Sequence, residues 1–151
     1  MITYTEDTKI VKEFLTLPNV WRMSTDDSFK NVNPKLLFIP DINCKYILVH
    51  DVGLIVVLPF QEQIYNVHIG FKKASYGLAT KYCLEALEWF WINSDAIEVR
   101  TSIPSSNLLA LRLANKIGMK QVGFERSNFI KDDIAYDSYI YKVNKEIICH
   151  H

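Results

Sequence analysis

The chain is poor in the residues that punctuate or cross-link a fold: five glycines, five prolines and three cysteines in 151 residues. Cys44, Cys83 and Cys149 are odd in number and far apart, and no two have the CxxC or metal-ligand spacing of a redox or zinc motif. Neither a disulfide scaffold nor a metal centre is expected, and reduced thiols fit a cytoplasmic setting. Net charge is also missing, with 17 Lys+Arg against 17 Asp+Glu. Without a basic excess there is no whole-chain electrostatic reason to expect nucleic acid as a partner, although a local basic patch stays open. No apolar run nears the ~20 residues of a membrane span, and Met1 to Lys12 has no signal-peptide core. No membrane partner is therefore expected. His150 and His151 read as a remnant of cloning and are set aside.

What is present is apolar: 49% of residues are hydrophobic and 13% aromatic, the composition of a packed globular chain. Residues 1–149 are expected to form one domain. Thr5 to Leu17 carries Ile10, Val11, Phe14 and Leu15 at helical spacing, and Pro18 is expected to stop that helix. A short helical or irregular piece follows over Val20 to Phe29, then a short strand from Leu36 to Ile39. Lys45 to His50 and Leu54 to Pro59 flank Asp51-Val52-Gly53 as a hairpin. Its second strand is continuously apolar and β-branched, as expected where both faces are covered. Ile64 to Phe71 alternates as a further strand.

From Gly77 onward the period lengthens. Ala79, Tyr82, Cys83, Ala86, Leu87 and Phe90 form one helical stripe opposite Lys81, Glu85 and Glu88. Ile97, Val99, Thr101 and Ile103 then alternate with polar residues as a strand. Ser105 or Ser106 is expected to cap a second helix carrying Ala110, Leu113, Ala114 and Ile117 inward, with Gly118 in the left-handed position at its end. Strands near Lys120–Ser127 and Ala135–Val143 close the chain. The class is α/β with a mixed sheet.

Three of the five glycines, Gly77, Gly118 and Gly123, punctuate the second half. Ala74-Ser75-Tyr76-Gly77-Leu78-Ala79 follows a strand at once and opens the long helix. Unpaired N–H groups at such a turn, together with the helix dipole, suit an anion, and Gly77 would let it approach the backbone. Lys72, Lys73 and Lys81 add positive charge nearby. A purely structural glycine at the turn is the plain alternative.

These residues resemble the GNAT superfamily of acetyltransferases, whose signature after the fourth strand is Arg/Gln-x-x-Gly-x-Gly/Ala. Gly77 and Ala79 match it, while Ala74 replaces the leading Arg/Gln. A second signature, an Asn followed by a small residue and a Gly, is met at Asn107, Ala110, Gly118 and Met119. The similarity spans roughly Lys45 to Val143 in the expected element order.

The resemblance implies a mostly antiparallel mixed sheet of six to seven strands flanked by helices, with strands four and five splayed for coenzyme A. It implies that the backbones of Ile69 and Phe71 pair with the pantetheine arm and that an N–H near Ile69 polarises the thioester carbonyl. It places the pyrophosphate on Tyr76, Gly77, Leu78 and Ala79, with Lys73, Ala74 and Ser75 also binding the cofactor and Asn107 beside the pantetheine. A helix-start hydrogen bond is the alternative role for Asn107. The implied activity is transfer of the acetyl group of acetyl-CoA to a primary amine of a small molecule or a protein.

Such a reaction needs a base to deprotonate the incoming ammonium. His68, next to Ile69 and titrating in the right range, is the candidate; Glu62 is a second. The plain reading of His68 is a strand histidine holding a neighbour. The family's usual Tyr acid falls on Ala114, which leaves Tyr139 or Tyr141 as substitutes, or no dedicated acid. Trp21 and Arg22 lie where the acceptor site is usually built. Tyr136 and its neighbours could line that cleft or cover a sheet face. Trp89-Phe90-Trp91 reads as core, although exposed aromatics there would suit a homodimer. Asp132-Asp133 reads as a solvated turn.

Two other classes compete. A scaffold that has lost its chemistry would hold coenzyme A or a protein partner without turnover. An unrelated nucleotide-binding domain is weakened by the absence of GxGxxG and GxxxxGK[ST].

Overall fold

The computed structural model describes residues 1–36 and 43–145. Its chain order begins with a strand that hydrophobic periodicity did not reveal, β1 (Ile2–Thr5), before α1 (Thr8–Leu15) and α2 (Pro18–Ser24). Four residues are too few to show a period, and β1 is defined by pairing, Ile2 opposite Val49 through Thr5 opposite Tyr46. The first helix consequently starts at Thr8 rather than Thr5. Asp7 caps it, its side chain accepting from the N–H groups of Lys9 and Ile10. Pro18 ends α1 but also opens α2 as its first residue, where a missing N–H costs nothing. Leu36 closes a 3₁₀ turn (Pro34–Leu36), and the rest of the strand expected up to Ile39 lies outside the described residues.

Thereafter come β2 (Lys45–Val49), β3 (Gly53–Gln61), β4 (Ile64–Phe71), a 3₁₀ helix (Lys73–Leu78), α3 (Ala79–Asn93), β5 (Glu98–Pro104), α4 (Leu108–Lys116), β6 (Lys120–Lys131) and β7 (Ile134–Asn144). They form one seven-stranded sheet in the order β1-β2-β3-β4-β5-β7-β6. The pairing of β4 with β5 is parallel and the others are antiparallel. The mixed, mostly antiparallel sheet expected from the sequence is what the chain forms.

Strand period sorts side chains to two faces. Ile47, Val49, Val57 and Phe71 point to the face covered by α3 and α4, where Cys83, Ala86, Phe90 and Ala114 join the core. Leu54 points to the opposite face and packs with Val11 and Phe14 of α1. Ile47, Val49, Leu54 and Val57 are at most 1% exposed, and each such burial contributes about 1.5–3 kcal/mol. The alternation expected of β5 holds from Val99 to Ile103, but the strand starts only at Glu98 and its other face is covered there as well. Ile97 is exposed, while Glu98 is buried with its carboxylate on Arg100 Nε and 3.3 Å from Lys142 Nζ.

Candidate functional site

The sheet is open at its middle. Ladder pairs join β4 and β5 from Ile64 opposite Glu98 only as far as Asn66 opposite Arg100. Beyond that point β4 runs on to Phe71 and β5 to Pro104 without pairing to each other. Five residues of β4 edge, roughly 16 Å at strand rise, therefore border a gap.

The direction of the backbone groups along this edge follows from the other side of β4. The Lys72 N–H donates to the Val52 carbonyl at 2.8 Å, and Phe71 stands opposite Gly53. Alternation along an antiparallel ladder turns the N–H groups of Gly70 and His68 to β3 as well. Those of Ile69 and Phe71 are turned into the gap. The Phe71 carbonyl is met there by Asn19 Nδ2 at 2.8 Å, and the same amide donates to the Tyr76 hydroxyl at 2.7 Å. Of the two backbones expected to face a ligand, Ile69 is open and Phe71 keeps its N–H.

A cavity of about 590 Å³ passes through the gap. On one side it is walled by α3, α4 and the connection after α4, including Cys83, Ala114 and Met119; on the other by Val20, Met23, Phe129 and Ser138. His68, Ile69 and Asn107 all line it. The structure therefore gathers three of the residues singled out in the sequence, two from β4 and one from a helix start.

His68 stands opposite Val56, on the sheet face covered by α1 and α2. Its ring is accessible from the cavity yet surrounded by protein, and desolvation holds its pKa below the ordinary imidazole value. A neutral imidazole at pH 7 is what proton acceptance needs. Glu62 sits in the β3–β4 turn, at the far end of β4 from Ile69, and does not line the cavity. It is excluded as a base by distance.

The glycine turn departs from expectation in its local geometry. Lys73–Leu78 is a 3₁₀ helix, and α3 begins only at Ala79. Tight 3₁₀ bonds occupy some of the N–H groups expected to be free: Ser75 donates to the Lys72 carbonyl and Ala79 to that of Tyr76. Ser75 is buried, its hydroxyl also on the Lys72 carbonyl. Lys73, Ala74, Tyr76, Gly77 and Leu78 are exposed, and none of the turn lines the cavity. Gly77 has no positive φ, and a Cβ there would meet nothing within 4 Å. The fold does not require glycine at that position. Lys72 Nζ lies over the Phe14 ring at 5.6 Å, and Lys81 is 4.0 Å from Glu85.

Several other expectations are corrected. Asn107, not Ser105 or Ser106, caps α4, its Oδ1 accepting from Ala110 N–H at 3.2 Å. The helix-start role is thus real, and Asn107 faces the cavity as well. Tyr139 and Tyr141 do not line the cavity; Tyr141 is 6% exposed within the core. No tyrosine hydroxyl replaces the one missing at Ala114 among the described residues lining it. α2 does border the cavity, but through Val20, Met23 and Ser24 rather than Trp21 and Arg22. Trp21 instead packs edge-on against Phe29. Trp89-Phe90-Trp91 is core as read, with Phe90 buried and Trp89 packed on Tyr4 at 4.9 Å between ring centroids, which leaves no exposed aromatic face there to suit a homodimer. Asp132 and Asp133 form a turn with positive φ, and their N–H groups donate to the two carboxylate oxygens of Asp27. Asn19 and Ser138 went unnoticed in the sequence, since each acts through neighbours more than fifty residues away or by burial.

No protein-family model matches the chain, and no curated protein does. Solved structures do. An acetyltransferase of the GNAT family from Streptococcus pneumoniae superposes with a TM-score of 0.69 at 17% identity, over 96% of this chain and 99% of that one. Spermidine N-acetyltransferase from Vibrio cholerae, in complex with CoA and spermine, gives 0.72 at 14% identity, over 95% and 94%. A GNAT-family acetyltransferase from Bacillus anthracis gives 0.64 at 18%, over 95% and 93%. At these identities the likeness establishes the fold: the chain has that of the GNAT acetyltransferases.

Proposed function

We propose that this chain is an acyl-CoA-dependent N-acyltransferase, a single domain over residues 1–149, that moves the acetyl group of acetyl-CoA to a primary amine. The observation that carries the reading is the open parallel seam between β4 and β5, with a cavity running through it. An extended pantetheine arm can add to a strand edge of this kind as another strand would. Coenzyme A is also present in the similar spermidine N-acetyltransferase structure.

The residues fit such a group. The Ile69 N–H points into the seam without a ladder partner, and the exposed backbone of Tyr76 to Leu78 follows β4 directly. Gly77 supports the reading from another direction. In a helical conformation glycine costs about 1 kcal/mol relative to alanine, and here neither dihedral angle nor packing repays that cost. Close approach of a phosphate would.

Acetyl-CoA, when bound, supplies the activated acetyl thioester. The Ile69 N–H donates a hydrogen bond to the oxygen on which charge develops as the amine attacks. His68, held neutral, accepts the proton that the nitrogen sheds as the N–C bond forms. The C–S bond breaks, and the thiolate leaves without a tyrosine to protonate it. Buried Cys83 and half-buried Cys44 are free thiols, in keeping with a reducing cytoplasmic setting.

A second reading is a module that holds CoA without turnover. It rests on Ala114, 3% exposed where an acid would be useful, and on Ala74 at the head of the turn. Amine-dependent release of free thiol from acetyl-CoA separates the two, with Gly77→Glu as the site control. That variant places bulk and negative charge where the pyrophosphate would lie. We expect turnover in the wild type, and in the variant at least a tenfold weaker CoA affinity with unchanged unfolding temperature. Undiminished CoA binding by Gly77→Glu would overturn the placement of the site.

A further inference from the structure

We propose that the acceptor is a small amine with an apolar body, taken into the cavity as its uncharged free base, and that polycationic amines are excluded. This rests on the acyltransferase reading above. Among the described residues, no Asp, Glu, Lys or Arg lines the cavity. The acceptor side is built from Val20, Met23, Val56 and Phe129 with the uncharged polar side chains of Ser24, His68, Ser102, Asn128 and Ser138.

The ionisable groups that do line it carry no negative charge at neutral pH. Desolvation by the surrounding protein holds His68, open to the cavity, below its usual pKa and so neutral there, and burial pushes the Cys83 thiol up to about 12. Carboxylates on bordering elements stay outside the lining, Glu125 of β6 accepting from Asn128 Nδ2 and Asp137 of β7 from the Ser127 N–H. Glu98 of β5 holds Arg100 and Lys142, and Asp27, beyond α2, accepts the N–H groups of Asp132 and Asp133. An ammonium brought into such walls loses water and finds no counter-ion, so it sheds its proton instead. A molecule with one amine and an apolar remainder does this once and gains by burying the remainder. A polyamine would have to do it at every nitrogen. The volume, shared with the end of the pantetheine arm, limits the acceptor to a small molecule. Entry as the free base leaves His68 unprotonated for the proton released on bond formation.

The test is calorimetric binding of 2-phenylethylamine and of spermidine to the full chain saturated with CoA, from pH 7 to 9 and in 50 and 500 mM NaCl. The apolar amine should bind about tenfold more tightly per pH unit below its own pKa, because only the free base enters. Its affinity should change less than twofold with salt, and spermidine should bind at least tenfold more weakly. Ser138→Asp should raise spermidine affinity more than tenfold and make it salt-dependent. Should that variant not fold, the wild-type salt and pH dependences decide alone. Spermidine binding as tightly as the apolar amine, or amine affinity that is flat with pH and falls with salt, would overturn the inference while leaving the CoA site standing. Absence of heat on adding CoA itself would overturn the acyltransferase reading and this inference together.

Discussion

His68 owes its position to the two-residue period of β4, which turns it to the face that α1 and α2 cover while Ile69 beside it turns its N–H into the seam. Because its pKa lies below the ordinary value of 6.5, the imidazole stays neutral until the pH falls through that lowered value. As a general base it should therefore give kcat, measured at saturating amine, an acid limb centred below pH 6.5, with activity lost as pH drops. His68→Gln should remove that limb and lower kcat by about a hundredfold, the lower range for general-base loss. A pH–rate profile of the variant that keeps the acid limb would return His68 to a packing role. Ile69 was singled out through the resemblance, which puts the cofactor along this end of β4, and His68 as its neighbour; strand alternation then fixes their faces. Asn19 was not, since its two bonds go to Phe71 and Tyr76, far along the chain. Ser138 was not, because nothing in a row of alternating residues shows which polar one a neighbouring strand will bury.

At the level of elements, the acceptor wall depends on how closely α2 lies on β4. A Cβ built on Gly70 would approach Val20 Cγ1 to 2.9 Å, so glycine there sets the spacing. Gly70→Ala should push α2 outward, cost about 1–3 kcal/mol in denaturant unfolding, and raise KM for the amine more than KM for acetyl-CoA. Equal changes in both would show that α2 does not form the acceptor side. The far rim is tied down as well. The β6–β7 turn is held to Asp27, and Lys131 Nζ donates to the Thr25 carbonyl at 2.7 Å. Long elements with a clear period were readable in advance: α3, α4 and the strands from Lys45 onward. The short ones were not. β1 exists only through its pairing, and α2 turned Met23 rather than Trp21 to the cavity because seven residues give too little stripe to fix a helix's phase.

The whole molecule is a sheet opened at one parallel seam, with each face sealed by helices and the opening left apolar. The order of elements and the class of sheet followed from periodicity and from the two signatures, at Gly77 and at Asn107. What those signatures do not encode is where the ladder between β4 and β5 stops, which is a matter of register between segments some thirty residues apart. The lining, free of charge among the described residues, is a property of the assembled walls for the same reason, contributed by all four helices and six of the strands.

The central claim is that the seam and the turn together hold coenzyme A. Thermal unfolding with and without CoA, with ATP and NAD at equal concentration as controls, tests it most directly. Binding to the native state alone at a hundred times the dissociation constant adds about 2.7 kcal/mol, a rise of about 5–10 °C for a chain of this size. The account predicts a rise of that order, growing with CoA concentration, with none from ATP or NAD. An unfolding temperature that does not respond to CoA, or responds equally to all three, would contradict it.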